Sequence, residues 1–159
     1  MPDNDFIDWI ISRADNRIIF DVGFGNGRVL EHIWERGYSK LVGTDPFSDV
    51  MAINTHWIMN KELNGRSKPH FFYDEIGEGI SQSILENSKG KMLGLLNRPC
   101  HHTLLVKSAY YSFKKTGNEL LYIGLRENIE QDLVWNDIPF EEIEHEGSSR
   151  DNEVVLKIA

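Results

Sequence analysis

The sequence predicts an α/β domain: a mostly parallel sheet flanked by helices and closed by a C-terminal antiparallel hairpin. Three observations carry that expectation. Strand-like apolar runs alternate with helix-like stretches from residue 18 to residue 135, the order that builds parallel sheets through helical crossovers. The first strand-like run ends in a glycine-rich turn, Gly23-Phe24-Gly25-Asn26-Gly27, directly ahead of a helix-like stretch. The last two extended segments, 140–146 and 153–158, have no helix between them, so they pair antiparallel.

Each element has its own local reason. Residues 3–13 place Phe6, Ile7, Ile10 and Ile11 at helical spacing, with Asp3 or Asn4 as the cap. Ile18-Ile19-Phe20-Asp21-Val22 is a continuous apolar run that suits a strand buried on both faces. The helix after the glycine turn turns Val29, Leu30 and Ile33 inward and stops at Gly37. Residues 40–44 form the second strand, ending at Asp45-Pro46, and residues 48–63 a helix with Ser48 as its cap. His70-Phe71-Phe72-Tyr73 is the third strand, followed by Asp74-Glu75 and a short helix over 80–88. Residues 92–96 form the fourth strand, stopped by Asn97-Arg98-Pro99. Thr103 caps a helix running to Lys115, residues 120–124 form the fifth strand, and 127–135 a last helix. The tail adds two strands, for seven in all, around Gly147-Ser148-Ser149-Arg150-Asp151-Asn152.

The chain has 159 residues, 40% of them hydrophobic and 26% charged, the balance of a globular domain with one core. A single domain over 1–159 is expected. No apolar run is long enough to cross a bilayer. The N-terminal MPDNDFIDWI lacks the basic and apolar regions of a secretory signal. One cysteine, Cys100, makes no internal disulfide. A reducing, cytoplasmic setting is therefore expected. The net charge of −8 argues against gripping naked nucleic acid through bulk charge.

The glycine turn carries the strongest chemical signal. Glycines let the chain turn sharply and let a ligand approach the backbone, and the following helix aims free N–H groups at the turn. A dinucleotide fingerprint has glycines at its first, third and sixth positions. Counted from Gly23, the sixth position is Arg28, and the third glycine falls at Gly27. Asp21 stands just before the glycines. A carboxylate there repels a pyrophosphate and suits a cationic group, which favours an adenosine ligand bearing an amino-acid end over a nicotinamide dinucleotide. Asp45 ends the second strand, where a carboxylate accepts hydrogen bonds from ribose hydroxyls. Asp74 and Glu75 follow the third strand, and either is placed to accept from an adenine amino group. Each carboxylate taken singly has a bland alternative, a solvated loop residue. Their joint placement at the ends of the first three strands favours a site.

At these residues the chain resembles the class I S-adenosylmethionine-dependent methyltransferases. Asp21-x-Gly23-x-Gly25-x-Gly27 looks like their first motif, Thr44-Asp45 like the acidic end of their second strand, and the closing hairpin like their sixth and seventh strands. The resemblance spans about residue 17 to 159. It implies a Rossmann-like sheet of seven strands and S-adenosyl-L-methionine across the ends of the first three. It further implies methyl transfer by direct displacement, which asks the protein for alignment and exclusion of water. By the same resemblance Gly23, Gly25 and Gly27, with Phe24 in the same turn, contact the methionine part. Asp45, with Pro46 beside it, contacts the ribose, and Asp74 or Glu75 the adenine.

The fourth strand departs from the family pattern. Amino-group methyltransferases often carry Asn/Asp-Pro-Pro-aromatic there. This chain has Asn97-Arg98-Pro99-Cys100 followed by His101-His102. Asn97, His101 and His102 are the catalytic candidates, since an imidazole titrates near neutrality and can act as a base. The alternative is two polar residues at a strand end. No metal-ligand spacing is present. Trp34, Trp57, Tyr110, Tyr111 and Phe113 fall at core spacings, and Lys107, Lys114 and Lys115 read as a solvated helix face. No inserted domain supplies substrate recognition. The acceptor is therefore open among small molecule, protein and RNA, and a partner chain completing the site is one possibility. Two other functions compete: a non-catalytic interaction or regulatory domain on the same fold, and a nicotinamide oxidoreductase.

Overall fold

The computed structural model describes residues 2–99, 103–148 and 153–159. Helix α1 spans Asn4–Ala14, and Asp3 is its cap: the Asp3 carboxylate accepts from the Phe6 N–H at 2.8 Å. Strand β1 (Ile18–Val22) leads into the glycine turn and α2 (Arg28–Glu35). Then follow β2 (Leu41–Thr44), α3 (Val50–Asn60), β3 (His70–Phe72) and α4 (Gly79–Asn87). Next come β4 (Met92–Asn97), α5 (Thr103–Lys115) and β5 (Glu119–Leu125). Last are α6 (Ile129–Asp132), β6 (Glu141–Glu142) and β7 (Glu153–Lys157).

The seven strands form one sheet in the order β3-β2-β1-β4-β5-β7-β6. β1 to β5 are mutually parallel, and β7 runs antiparallel to both β5 and β6. The order reverses between β1 and β4. Crossovers on the two sides leave in opposite directions there, which opens a crevice at the carboxyl ends of those strands. Alternate residues of β1 feed two cores. Ile19 packs with Phe6, Ile10, Leu30, Ile33 and Trp57 from α1, α2 and α3. Phe20 packs with Leu85, Val106, Phe113 and Leu133 from the opposite layer. Asp21 shares the parity of Ile19 along the strand and so belongs to the α1/α2 side.

Gly94 in β4 sets how closely α5 lies on the sheet. A Cβ there would stand 2.2 Å from Cε2 of Phe113, a ring with no solvent exposure. Gly94→Ala is expected to destabilise the chain by about 1–3 kcal/mol through overpacking. A lowered urea midpoint with an unchanged slope checks this.

Four sequence expectations shift. The cap of α3 is Asp49, whose carboxylate accepts from the Ala52 N–H, and the helix begins at Val50. Ser48 instead donates its hydroxyl to the Gly25 carbonyl at 2.5 Å. The helix expected over 127–135 is broken into 3₁₀ turns at Arg126–Asn128 and Val134–Asn136 around the four residues of α6. β6 pairs over only two residues, although the Ile143 N–H also bonds to Val155 O at 2.9 Å. Tyr111 is exposed, unlike Trp34, Trp57, Tyr110 and Phe113, which are buried. It edges onto Tyr110 from the outer face of α5.

Candidate functional site

The glycine turn sits at the carboxyl end of β1, on the switch point. Gly23, Gly25 and Gly27 all have positive φ, between +60° and +78°. The Gly23 N–H donates to Thr44 O at 2.8 Å, which ties the turn to β2. Gly27 caps α2 without a side chain, and a Cβ there would meet the Phe71 ring at 3.2 Å. Phe24 points inward and is buried, its ring edge-on to Phe71 at 5.0 Å.

Asp45 holds this turn in place. One carboxylate oxygen accepts from the Gly25 N–H at 2.9 Å; the other accepts from Phe47 N at 2.7 Å and Ser48 N at 3.1 Å. A carboxylate offers about four acceptor sites, and the three backbone donors use most of them. Asp74 is similarly engaged. It accepts from Glu75 N at 3.0 Å and Ser81 N at 2.8 Å, satisfying a free donor in the first turn of α4. Glu75 is exposed and faces the crevice.

Two cavities flank the turn, and both are lined by Gly23, Gly25 and Arg98. The first, ≈ 450 Å³, lies toward α5. Its walls are Val22, Ile76, Pro99, Leu104 and Leu105, with Asp45, Pro46, Phe47, Ser48 and Glu75 along one side. The second, ≈ 370 Å³, lies toward α2 and the N-terminus. It is lined by Pro2, Asp21, Phe24, Arg28, Asn97 and Glu153, among others.

The second cavity is electrostatically unusual. Asp21 is 2% exposed, and its Oδ1 has no hydrogen-bond partner. Burial, with a smaller contribution from the Asp45 charge, pushes its pKa up to about 7. The Glu153 side chain is 4% exposed; Oε1 accepts from Arg98 Nη2 at 2.9 Å, while Oε2 has no partner. Arg98 is held in the left-handed region, φ +49°, by its own N–H donating to Ile123 O at 2.8 Å.

The structure thus gathers Asp21, Gly23, Phe24, Gly25, Asp45, Pro46, Glu75 and Asn97 around the two cavities. Gly27 and Asp74 line neither and instead shape the turn and α4. His101 and His102 lie outside the described residues. Sequence reasoning missed Glu153. Its signal is absent locally, because its side chain is buried against Arg98, fifty-five positions earlier, when β7 pairs with β5. Sequence reasoning also missed Phe47 and Ser48, both on the wall of the first cavity; Ser48 read as a helix cap. Among the described residues no cluster of His, Cys, Asp and Glu is arranged to hold a metal ion, and no helix is long and apolar enough to cross a membrane.

No protein-family model matches the chain, and no curated protein matches it in sequence. Solved structures match it over nearly its whole length. Magnesium protoporphyrin IX methyltransferase from Synechocystis PCC 6803, with bound S-adenosylmethionine, aligns at TM-score 0.56 and 16% identity, over 95% of this chain and 74% of that one. Ribosomal protein L11 methylase from Lactobacillus delbrueckii subsp. bulgaricus aligns at 0.54 and 16%, over 97% and 76%. The glycopeptide N-methyltransferase MtfA aligns at 0.66 and 9%, over 99% and 95%. At these identities the likeness establishes the fold: the chain has the Rossmann-like architecture of these methyltransferases.

Proposed function

We propose that the chain is an S-adenosyl-L-methionine-dependent methyltransferase. The observation that carries this reading is the pair of cavities meeting at the glycine turn, one apolar and one carboxylate-lined. An adenosyl group needs an apolar slot with a few polar groups at its rim. The first cavity offers this between Pro46 and Phe47 on one side and Leu104 and Leu105 on the other, with Glu75 placed for the adenine amino group. An amino-acid end needs a counter-charge for its ammonium. Asp21 offers a buried, unpartnered oxygen across the same turn. The donor set therefore fits the ligand at both ends. A pyrophosphate fits badly against Asp21, which weighs against a nicotinamide dinucleotide.

When bound, the sulfonium supplies an activated methyl group and its own leaving group. The residues of this chain then have three tasks. Gly23 and Gly25 let the ligand lie against bare backbone between the cavities. Asp21 holds the ammonium and thereby sets how far the ligand slides along the turn. Phe24 and Pro2 limit water on the far side, so that a nucleophile aligned there meets little competition. The solved structures of similar fold include two in complex with S-adenosylmethionine and one with sinefungin. The lone Cys100 fits a reducing, cytoplasmic setting.

Calorimetric titration with S-adenosylmethionine and S-adenosylhomocysteine tests the reading, with NADH as the control. Binding of both adenosyl ligands and not NADH is expected. Failure of both to bind folded protein overturns it. Binding without methyl transfer to any acceptor, including the chain itself and a supplied partner extract, would leave a ligand-binding regulatory domain in its place.

A further inference from the structure

The ion pair between Arg98 and Glu153 is half made. Arginine and carboxylate commonly meet through two parallel hydrogen bonds. Here a single bond forms, Nη2 to Oε1 at 2.9 Å. A further donor, Arg98 Nε, and the second acceptor, Glu153 Oε2, are both buried and both without a partner. An unpaired buried polar group costs about 1–3 kcal/mol, more where charge is involved. Two of them in one ion pair, in residues that line a ≈ 370 Å³ cavity, suit a ligand that donates to one and accepts from the other.

Charge narrows the class further. With Asp21 committed to the ammonium of the methyl donor, the wall leaves one carboxylate, Glu153, its side chain 4% exposed, beside the Arg98 guanidinium. The other cation on the wall, Arg28, is exposed and stands at the first turn of α2. A ligand that gives a donor to Glu153 Oε2 and an acceptor to Arg98 Nε completes the pair and leaves neither buried group unmatched.

We propose that this half of the second cavity is the methyl-acceptor subsite, and that it takes a small molecule bearing an amino group beside an oxygen. The amino group donates to Glu153 Oε2, and the oxygen, a hydroxyl or carbonyl, accepts from Arg98 Nε. This inference rests on the methyltransferase reading, in which Asp21 is committed to the ammonium of S-adenosylmethionine. Asn97, the last residue of β4 and the neighbour of Arg98, lines the same cavity. The volume, shared with the amino-acid end of the methyl donor, favours a small acceptor over a protein side chain or a base on a polymer.

Three matched probes test it: 2-amino-1-phenylethanol, phenethylamine, which lacks the hydroxyl, and 2-phenylethanol, which lacks the amine. Each is titrated calorimetrically into protein saturated with S-adenosylhomocysteine, for wild type and Glu153→Gln. The amino alcohol is expected to bind best, phenethylamine more weakly and 2-phenylethanol weakest. Glu153→Gln is expected to weaken the two amines by about tenfold or more. Its affinity for S-adenosylhomocysteine should stay within about twofold, which also reports an intact fold. Equal binding of 2-phenylethanol and phenethylamine, an unaffected Glu153→Gln, or no binding of any probe to the saturated protein overturns the acceptor assignment while leaving the methyltransferase reading in place. Failure of S-adenosylhomocysteine itself to bind overturns both, and is read in a separate titration before any probe is added.

Discussion

Asp21→Asn is expected to make the ligand-free chain more stable at pH 8 and, at the same time, a poorer binder of S-adenosylmethionine. The first half follows from the buried carboxylate. Its pKa stands at about 7 in the folded chain, against an ordinary value of 3.8. The folded state therefore holds a proton that the unfolded state has released between those two values. Its contribution to stability is complete below about pH 4, falls as the pH rises toward 7, and is gone above it. A displacement of that size corresponds to roughly 4 kcal/mol as an upper figure. Asn is neutral throughout and occupies the same volume, so the variant lacks this decline. Urea midpoints for wild type and variant should lie close together at pH 4 and separate at pH 8, with the variant higher. The second half follows from the proposed role. With a cationic ligand bound, the carboxylate ionises against its ammonium, and wild-type affinity should rise with pH through about 7 until the ligand's own amine loses its proton. In the variant that rise should be absent. Midpoints that separate equally at both pH values would sink the account of the buried charge. A variant that binds S-adenosylmethionine as tightly as wild type would remove Asp21 from the ammonium.

The order of elements was legible because each signal was local. Continuous apolar runs marked β1, β4 and β5, and Gly37 marked a helix end. The glycine spacing and Asp21 identified the turn without any tertiary information. What was not legible depended on side chains finding backbone partners far away in sequence. Ser48 looks like a helix cap by residue type, yet its hydroxyl is taken by Gly25, twenty-three positions earlier. Asp74 and Glu75 are equivalent in sequence. Only the approach of α4 assigns the first to the Ser81 N–H and leaves the second facing the crevice. Glu153 is the clearest case. In sequence it only opens the last extended segment, 153–158. Its pairing with Leu125 of β5 instead brings its side chain against Arg98, where it is buried. Arg98 itself was visible only as a departure from a family pattern. Its positive φ and its bond to Ile123 O are what turn its side chain toward Glu153.

Asp45→Ala is expected to cost more than the loss of a ligand contact. The carboxylate bridges the glycine turn and the start of the β2–α3 connection through the N–H groups of Gly25, Phe47 and Ser48. Hydrogen bonds to a charged group contribute about 1.5–3 kcal/mol each, and those donors do not all regain water when the side chain is removed. A loss of about 3 kcal/mol or more in urea unfolding is expected, together with loss of measurable nucleoside binding. Asp45→Asn separates the two roles. Its amide oxygen can still serve one side of the bridge, while its NH₂ group confronts an N–H on the other, so part of the stability should return. The remaining acceptor site of Asp45 is the one available to a ribose hydroxyl. Adenosine and 2′,3′-dideoxyadenosine read that site directly. If Asp45 meets the ribose, wild type should prefer adenosine by about tenfold, and Asp45→Asn should lose the preference. If Asp45 serves only the turn, the two nucleosides should bind wild type equally and weaken together in the variant. In that event the apolar walls around Leu105 and Phe47, with Glu75 at the adenine, carry nucleoside recognition, and the second-strand carboxylate acts on the ligand only through the shape of the glycine turn.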